Sequence, residues 1–185
     1  MTTSQTFVAK LSSLLTIACL ASGCAGYRLG NEKPAALKGI NSLAISPFEN
    51  HSYEPNLSVK PANLLAQRLQ IDGTFKLESP ATADATLEST IESIERLPVS
   101  SGAMNRGRDT LLTSEYLLSV RIAYLLRQKE TGKTLRQGKV TGTTSFFIPG
   151  RDLRSADISN YSRQALPIAL EQAATKIVSA LAEGW

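Results

Sequence analysis

Two long segments of alternating apolar and polar residues, separated by a tight turn, constrain the fold of this 185-residue chain more than any other feature. They cover residues 111–128 and 134–147, and the turn between them reads Glu130-Thr131-Gly132-Lys133. Alternation predicts strands with one buried side, and a short turn containing glycine predicts an antiparallel hairpin. One face of the first strand collects Tyr116, Leu118, Val120, Ile122, Tyr124 and Leu126. The other face carries mostly polar residues, among them Glu115, Ser119, Arg121 and Arg127.

The segments around this hairpin show further strand and helix patterns. In chain order we predict a strand at residues 40–48, a helix at 57–71, a short strand at 75–78, a strand at 85–91 continued by 97–99, and a helix at 155–182. Gly73 is placed to end the first helix, and Pro167 predicts either a kink in the second helix or a start near Leu166. This order predicts an α+β fold, a two-layer sandwich in which two helices cover one face of a mostly antiparallel sheet of about four strands.

The N-terminus has the pattern of a bacterial lipoprotein signal peptide. Lys10 supplies a positive charge, residues 11–20 are mainly apolar, and Ala21-Ser22-Gly23-Cys24 resembles a lipobox in which Leu20 stands one place further from the cysteine than usual. Ten residues are too few to span a bilayer, which takes about 20. We therefore expect removal of residues 1–23 and acylation of Cys24, which becomes the first residue of the mature protein. The pattern also implies release to the outer membrane, because Ala25 stands where a retention signal usually has Asp.

Composition bounds the mature chain. We expect residues 24–39 to form the lipidated N-terminus and a tether, and residues 40–185 to form one domain. Removal of the signal peptide takes away one charged residue, Lys10, and leaves 19 basic and 16 acidic side chains. This mild excess argues against nucleic acid as a partner. Cys19 is removed and Cys24 carries lipid, so no thiol remains for a disulfide, a metal cluster or a nucleophile.

The sequence offers no set of catalytic residues. The single histidine, His51, lies in a polar loop, and no metal-ligand spacing, nucleophile motif or phosphate-binding glycine loop accompanies it. We therefore predict a binding protein that is not an enzyme and has no cofactor and no metal site. A lipid-anchored hydrolase that depends on His51 is a weaker alternative.

Two pairs of arginines flank the predicted hairpin. Arg106 and Arg108 precede its first strand, and Arg151 and Arg154 follow its second. Because antiparallel strands bring these two chain positions to one end of a sheet, the four guanidinium groups are expected to converge there. Guanidinium groups present paired donors that suit phosphate. The alternative is ordinary solubilising charge, partly neutralised by neighbouring aspartates.

Several motifs together resemble the lipopolysaccharide-assembly lipoproteins of the LptE family. They are the mature start at residues 24–29, the strand entry Ser114-Glu115-Tyr116, the pair Phe146-Phe147, and the helix end at residues 177–181. The resemblance implies a lipoprotein on the periplasmic face of the outer membrane that plugs the LptD β-barrel, assists its assembly and guides lipopolysaccharide to the cell surface.

The same resemblance implies roles for individual residues. Arg106, Arg108, Arg151 and Arg154 are the candidates for binding lipopolysaccharide. Thr141, Thr143 and Ser145 are expected to meet the polar lumen of the barrel.

A second class of lipoprotein remains open. The stretch at residues 42–50, followed by a helix, is similar to the start of secretion-channel subunits and cell-wall synthase activators related to CsgG. Such proteins act by oligomerising or by switching on a peptidoglycan enzyme. The long central hairpin with Ser-Glu-Tyr at its start favours the LptE resemblance.

Overall fold

A computed structural model of the chain describes residues 33–100, 113–149 and 155–183. A one-turn 3-10 helix at Ala35–Leu37 comes first, and Leu37 is fully buried in the core. The strands and α-helices that follow are β1 (Ser42–Ile45), β2 (Glu49–Asn50), α1 (Val59–Asp72), β3 (Lys76–Leu77), β4 (Ala85–Ser100), β5 (Thr113–Gln128), β6 (Thr134–Pro149) and α2 (Ser155–Glu183). No helix in this part of the chain is long and apolar enough to cross a membrane.

Strands β4, β5 and β6 form an antiparallel meander. Each strand has 16 residues, a length of about 50 Å at the usual rise per residue. The predicted hairpin is confirmed: Tyr116 lies opposite Phe146, and Gly132 occupies the turn with a φ of 66°. The meander is the frame on which the rest of the domain packs.

The complete sheet is mixed, and our prediction of a mostly antiparallel sheet of about four strands is wrong. It has six strands in the order β3-β1-β4-β5-β6, with β2 also paired to β4, and all pairings of β1, β2 and β3 are parallel. The parallel pairing of β1 and β3 is possible because α1 lies in the connection between them and carries the chain back. Strands β2 and β3 are two residues long, too short to produce a periodic signal in the sequence.

The helix ends follow local signals. Gly73 adopts a left-handed conformation with a φ of 74°, and its N–H donates to the Leu69 carbonyl at 3.0 Å, so the predicted end of α1 is confirmed. The second helix begins at Ser155 and continues through Pro167, which excludes a start near Leu166.

Helix α2 packs on the apolar face of the meander, where alternate residues of β5 from Leu118 to Leu126 are buried. The approach is closest at Gly142 of β6. A Cβ atom at this position would lie 1.9 Å from the Ala169 carbonyl oxygen and 2.9 Å from the Ala173 Cβ. Ala169 and Ala173 are themselves fully buried, so small residues on both elements set the distance between helix and sheet.

A half-buried carboxylate joins the start of β1 to the start of β4. Asp84 accepts hydrogen bonds from the backbone N–H of Asn41 at 2.8 Å and of Ser42 at 2.9 Å, and its own N–H donates to the Ser42 hydroxyl at 3.0 Å. The Asn41 N–H, then the Ser42 N–H, hold the pKa of Asp84 below its ordinary value of 3.8, because they stabilise the ionised form.

Asp84→Asn is expected to make the free energy of unfolding of the domain less dependent on pH. Because the pKa of Asp84 is lowered in the folded state, its stabilising effect is present above the unfolded pKa and is lost as the pH falls through the folded value. We expect Asp84→Asn to cost about 1 kcal/mol at pH 7 and to reduce the loss of stability on acidification. Urea unfolding at pH 7 and pH 3 measures both effects, with the exposed Glu78→Gln as control. Equal pH dependence in Asp84→Asn and the unaltered protein would contradict the assignment.

Candidate functional site

The side of the β4–β5–β6 meander that faces away from α2 presents half-exposed and exposed side chains throughout its described length. We call it the open face. It consists of the odd-numbered residues of β5 from Glu115 to Arg127 and the residues opposite them on β4 and β6. A bulge at residues 91–93 of β4 shifts the register against β5, so the open face takes even-numbered residues of β4 before the bulge and odd-numbered residues after it.

The middle of the open face is polar and carries charges of both signs. Ion pairs link neighbouring residues: Arg121 lies 3.8 Å from Glu95, and Arg127 lies 3.4 Å from Glu88. A third pair joins Lys139 and Glu92 at 2.5 Å. Because most of these groups are well exposed, the pairs add little to stability. Their consequence is a surface able to exchange hydrogen bonds and ion pairs with a polar partner.

The three hydroxyl residues predicted to meet a polar lumen all lie on the open face. Thr141, Thr143 and Ser145 stand opposite Arg121, Ser119 and Leu117 respectively. Ser145 is exposed, whereas the other two are half-buried.

Side chains from α2 close the central edge of β6. The Gln172 Oε1 accepts hydrogen bonds from the Thr143 N–H at 2.6 Å and the Thr143 hydroxyl at 3.2 Å, and the Lys176 ammonium donates to the Thr141 carbonyl at 2.6 Å. These backbone groups are the ones that an added strand would need. The meander therefore offers a face, and not its central edge, to a partner.

At the end where β4 and β6 stop, the open face carries exposed apolar side chains beside Glu115 and Ser145. Leu97, Val99 and Phe147 are 53%, 57% and 55% exposed, and Leu97 stands opposite the half-buried Leu117. We call these four residues the apolar tip. Phe146, next to Phe147, points to the opposite side and stacks on Tyr116 with ring centroids 5.4 Å apart.

The strand ends that flank the two segments with the predicted phosphate-binding arginines lie at the apolar tip. Strand pairing places Thr113 opposite Pro149 and Ser100 opposite Glu115, so the described ends of β4, β5 and β6 meet at one end of the meander. Arg106, Arg108, Arg151 and Arg154 themselves lie outside the described residues, as does Cys24.

One ionic cluster was not predicted from the sequence. Glu54, with a side chain only 12% exposed, receives hydrogen bonds from Arg96 of β4 and from Arg163 of α2, the latter at 3.2 Å. Arg96 also donates to the Ser162 hydroxyl at 2.8 Å. The cluster ties the loop after β2 to both the sheet and the helix, on the side opposite the open face. Its members are far apart in the chain, so no local sequence pattern predicts this cluster.

His51 lies at the surface. Its side chain is 66% exposed, and its Nε2 is 3.8 Å from a Glu49 carboxylate oxygen. Across the described ranges, no group of three or more histidine, cysteine or acidic side chains is arranged to hold a metal ion.

Comparison with known proteins gives one family. The sequence model for LptE, described as lipopolysaccharide-assembly, matches residues 40–181. No curated protein sequence matches the chain.

Several solved structures resemble the domain at low sequence identity. The PelC dodecamer from Paraburkholderia phytofirmans has a TM-score of 0.51 at 14% identity, over 83% of this chain and 95% of that chain. The rare lipoprotein B from Shewanella oneidensis scores 0.47 at 18% identity, over 78% and 96% of the two chains. The minor lipoprotein from Acinetobacter baumannii scores 0.46 at 15% identity, over 78% and 92%. The likeness to PelC shows a shared fold and nothing about function.

Proposed function

Because this chain belongs to the LptE family of lipopolysaccharide-assembly proteins, we propose that it is an outer-membrane lipoprotein that plugs an LptD-type β-barrel. In this role it assists the assembly of the barrel and the transport of lipopolysaccharide to the cell surface. The protein is an accessory component without catalytic activity. The observation that carries the proposal is the family match, which extends over residues 40–181.

The polar side chains of the open face support a position inside the lumen of a β-barrel. The interior of an outer-membrane barrel is polar, whereas its outer surface has an apolar band about 25 Å tall. The ion pairs Arg121–Glu95 and Arg127–Glu88 and the hydroxyl of Ser145 provide a polar surface of matching character.

The four arginines bind the phosphate groups of lipid A under this proposal. Replacing Arg106, Arg108, Arg151 and Arg154 together with glutamine is expected to weaken binding of labelled lipopolysaccharide by about tenfold or more, through loss of charge-assisted hydrogen bonds. The unfolding midpoint is expected to stay the same. The control replaces the exposed Lys38, Lys60, Lys76 and Lys133 with glutamine, which changes the net charge equally. Unchanged binding in the arginine variant, or an equal loss in the lysine variant, would contradict the assignment.

Cys24 is the proposed anchor. Cys24→Ala is expected to leave an unprocessed precursor without acyl chains, because the lipid must be attached to the sulfur before the signal peptide is cleaved. Cys19→Ala, which changes the other cysteine, is expected to be processed normally. Intact-mass spectrometry of membrane fractions distinguishes the two. A shortened, acylated product from Cys24→Ala would refute the anchor.

The alternative of a CsgG-related channel subunit or synthase activator receives less support. The family match lies with LptE, and the PelC dodecamer shares the fold only. A ring of identical subunits, or a bound peptidoglycan synthase, would be the sign of that alternative.

A further inference from the structure

A cavity between α1, α2 and the loop after β2 has no part in the proposed function. Its volume is about 650 Å³, which lies within the usual range of ligand sites. The lining residues of each helix are spaced three or four positions apart, as expected for one face of a helix. Among them are Lys60, Leu64 and Gln67 on α1, and Arg163, Leu166 and Leu170 on α2. We call this cavity the helix groove.

The floor of the helix groove is apolar. Leu57, Leu166 and Leu170 are buried, and Leu64 is half-buried. All four line the cavity, so they offer an apolar surface that an aliphatic side chain can cover. The floor therefore favours a ligand with aliphatic groups.

The rim of the groove offers hydrogen-bonding groups that suit a peptide. Asn56, Asn63 and Gln67 are exposed and line it. A carboxamide has both donors and an acceptor, so it can pair with either side of a peptide group. Pro167 has no N–H, so the carbonyl of Arg163 lacks the hydrogen bond that an uninterrupted helix would supply, and a peptide N–H can replace it. These groups favour a peptide over an acyl chain, which has nothing to pair with them.

The charges at one end of the groove favour a carboxylate. Of the described residues that line it, the ionisable ones are Glu54, Lys60 and Arg163. The Glu54 carboxylate is shared between Arg96 and Arg163, so these three groups together keep one positive charge. Lys60 is exposed and adds a second positive charge. A carboxylate placed here gains charge-assisted hydrogen bonds.

The groove is short, and its walls are held in place by the fold. An ion pair between Arg68 and Glu171, with N and O 2.5 Å apart, joins the two helices at the other end. From Arg163 to Glu171 the helix rises about 12 Å, the length of about four extended residues. The loop wall is fixed by the Asn50 side chain, which donates to the Glu54 carbonyl at 2.6 Å. Binding therefore requires little ordering of the protein.

We propose that the helix groove binds an extended segment of about four residues from a partner protein. Aliphatic side chains of the segment cover the leucines of the floor, and a carboxylate lies beside Lys60 and Arg163. This site goes beyond the proposed function, because neither the open face nor the anchor makes use of it.

The test uses photo-crosslinking tetrapeptides and the protein purified from membranes into phosphatidylcholine nanodiscs. The probe is a pool of acetylated tetrapeptide amides with three photo-leucines, which carry a diazirine, and one aspartate at each position in turn. Mass spectrometry is expected to locate the cross-links on residues of the helix groove. A pool with lysine in place of aspartate is expected to give about tenfold less cross-linking, because like charges repel at Lys60 and Arg163.

Two variants test the site itself. Lys60→Glu is expected to abolish the preference for the aspartate pool, and a glutamate in the first turn of α1 suits the helix dipole, so the fold is retained. Asn63→Trp is expected to fill the groove and reduce cross-linking of the aspartate pool by about tenfold. The matched control is Thr175→Trp, at an exposed position of α2 that does not line the groove, and we expect it to cross-link as the unaltered protein does.

Each other outcome overturns the peptide site. Equal cross-linking of the two pools, cross-links outside the groove, or unchanged cross-linking in Asn63→Trp would do so. If a diazirine-bearing dodecanoate labels the groove more strongly than the aspartate pool, the cavity belongs to an amphiphile and the peptide site is again refuted. None of these results bears on the proposed lipopolysaccharide function, because no probe contains lipopolysaccharide.

Discussion

Gly142→Ala is expected to lower the free energy of unfolding by about 3 kcal/mol. The new Cβ would lie 1.9 Å from the Ala169 carbonyl oxygen and 2.8 Å from the Ala173 backbone nitrogen. Both are atoms of the α2 backbone, so relief requires the helix to move away from the sheet. Such a movement would also disturb the hydrogen bond between Gln172 and Thr143 that closes the edge of β6.

Gly138→Ala is the matched control, because it adds the same methyl group to the same strand. Its Cβ would meet the far end of the Tyr124 side chain, 2.7 Å from the hydroxyl oxygen, which can shift at lower cost than a helix backbone. Denaturant unfolding of both variants is expected to show a clearly smaller loss for Gly138→Ala. If Gly142→Ala unfolded at the same denaturant concentration as the unaltered protein, the close packing of α2 on β6 would be refuted.

Ser119→Trp is expected to reduce the amount of barrel recovered with the protein by about tenfold or more. Ser119 lies in the middle of the polar part of the open face, between Glu95 and Thr143 on the neighbouring strands. Under the proposed function this region faces the lumen wall, and a large indole there prevents close packing and brings an apolar ring against polar groups. Quantification of both proteins after affinity purification from outer membranes measures the effect.

The control for this variant is Gln164→Trp, at an exposed position of α2 away from the open face. It adds the same ring to the surface and is expected to leave recovery of the barrel unchanged. Equal recovery of the barrel with Ser119→Trp would show that the open face is not the docking surface.

The elements that the sequence predicted well are those governed by local rules. Alternation along residues 113–128 reports directly which side of β5 is buried, and a glycine such as Gly73 ends a helix because it alone adopts the left-handed conformation cheaply. The short strand β3 was predicted at residues 75–78, but β2 was missed because two residues carry no period, and the parallel pairing of both strands had no signal in the sequence. Gly142 gave no signal either, because its role depends on a helix about 30 residues further along the chain.

The candidate site was also predicted only where local patterns in the sequence determine it. The alternation of β5 predicts part of the polar character of the open face, through Ser119, Arg121 and Arg127, whereas Ala123 and Leu125 lie on the same face and have polar partners on β4 and β6. The apolar tip was missed because Phe146 and Phe147 were considered as one motif, whereas strand geometry sends adjacent side chains to opposite faces. The Glu54 cluster joins residues 42 and 109 positions apart, a contact that only the folded chain reveals.

The most direct test of the proposed function is to purify the full-length protein from detergent-solubilised outer membranes. Mass spectrometry then identifies the proteins that co-purify with it. We expect one large β-barrel protein in a one-to-one ratio with this chain. Recovery of a ring of identical subunits, of a peptidoglycan synthase, or of the protein without any barrel would contradict it.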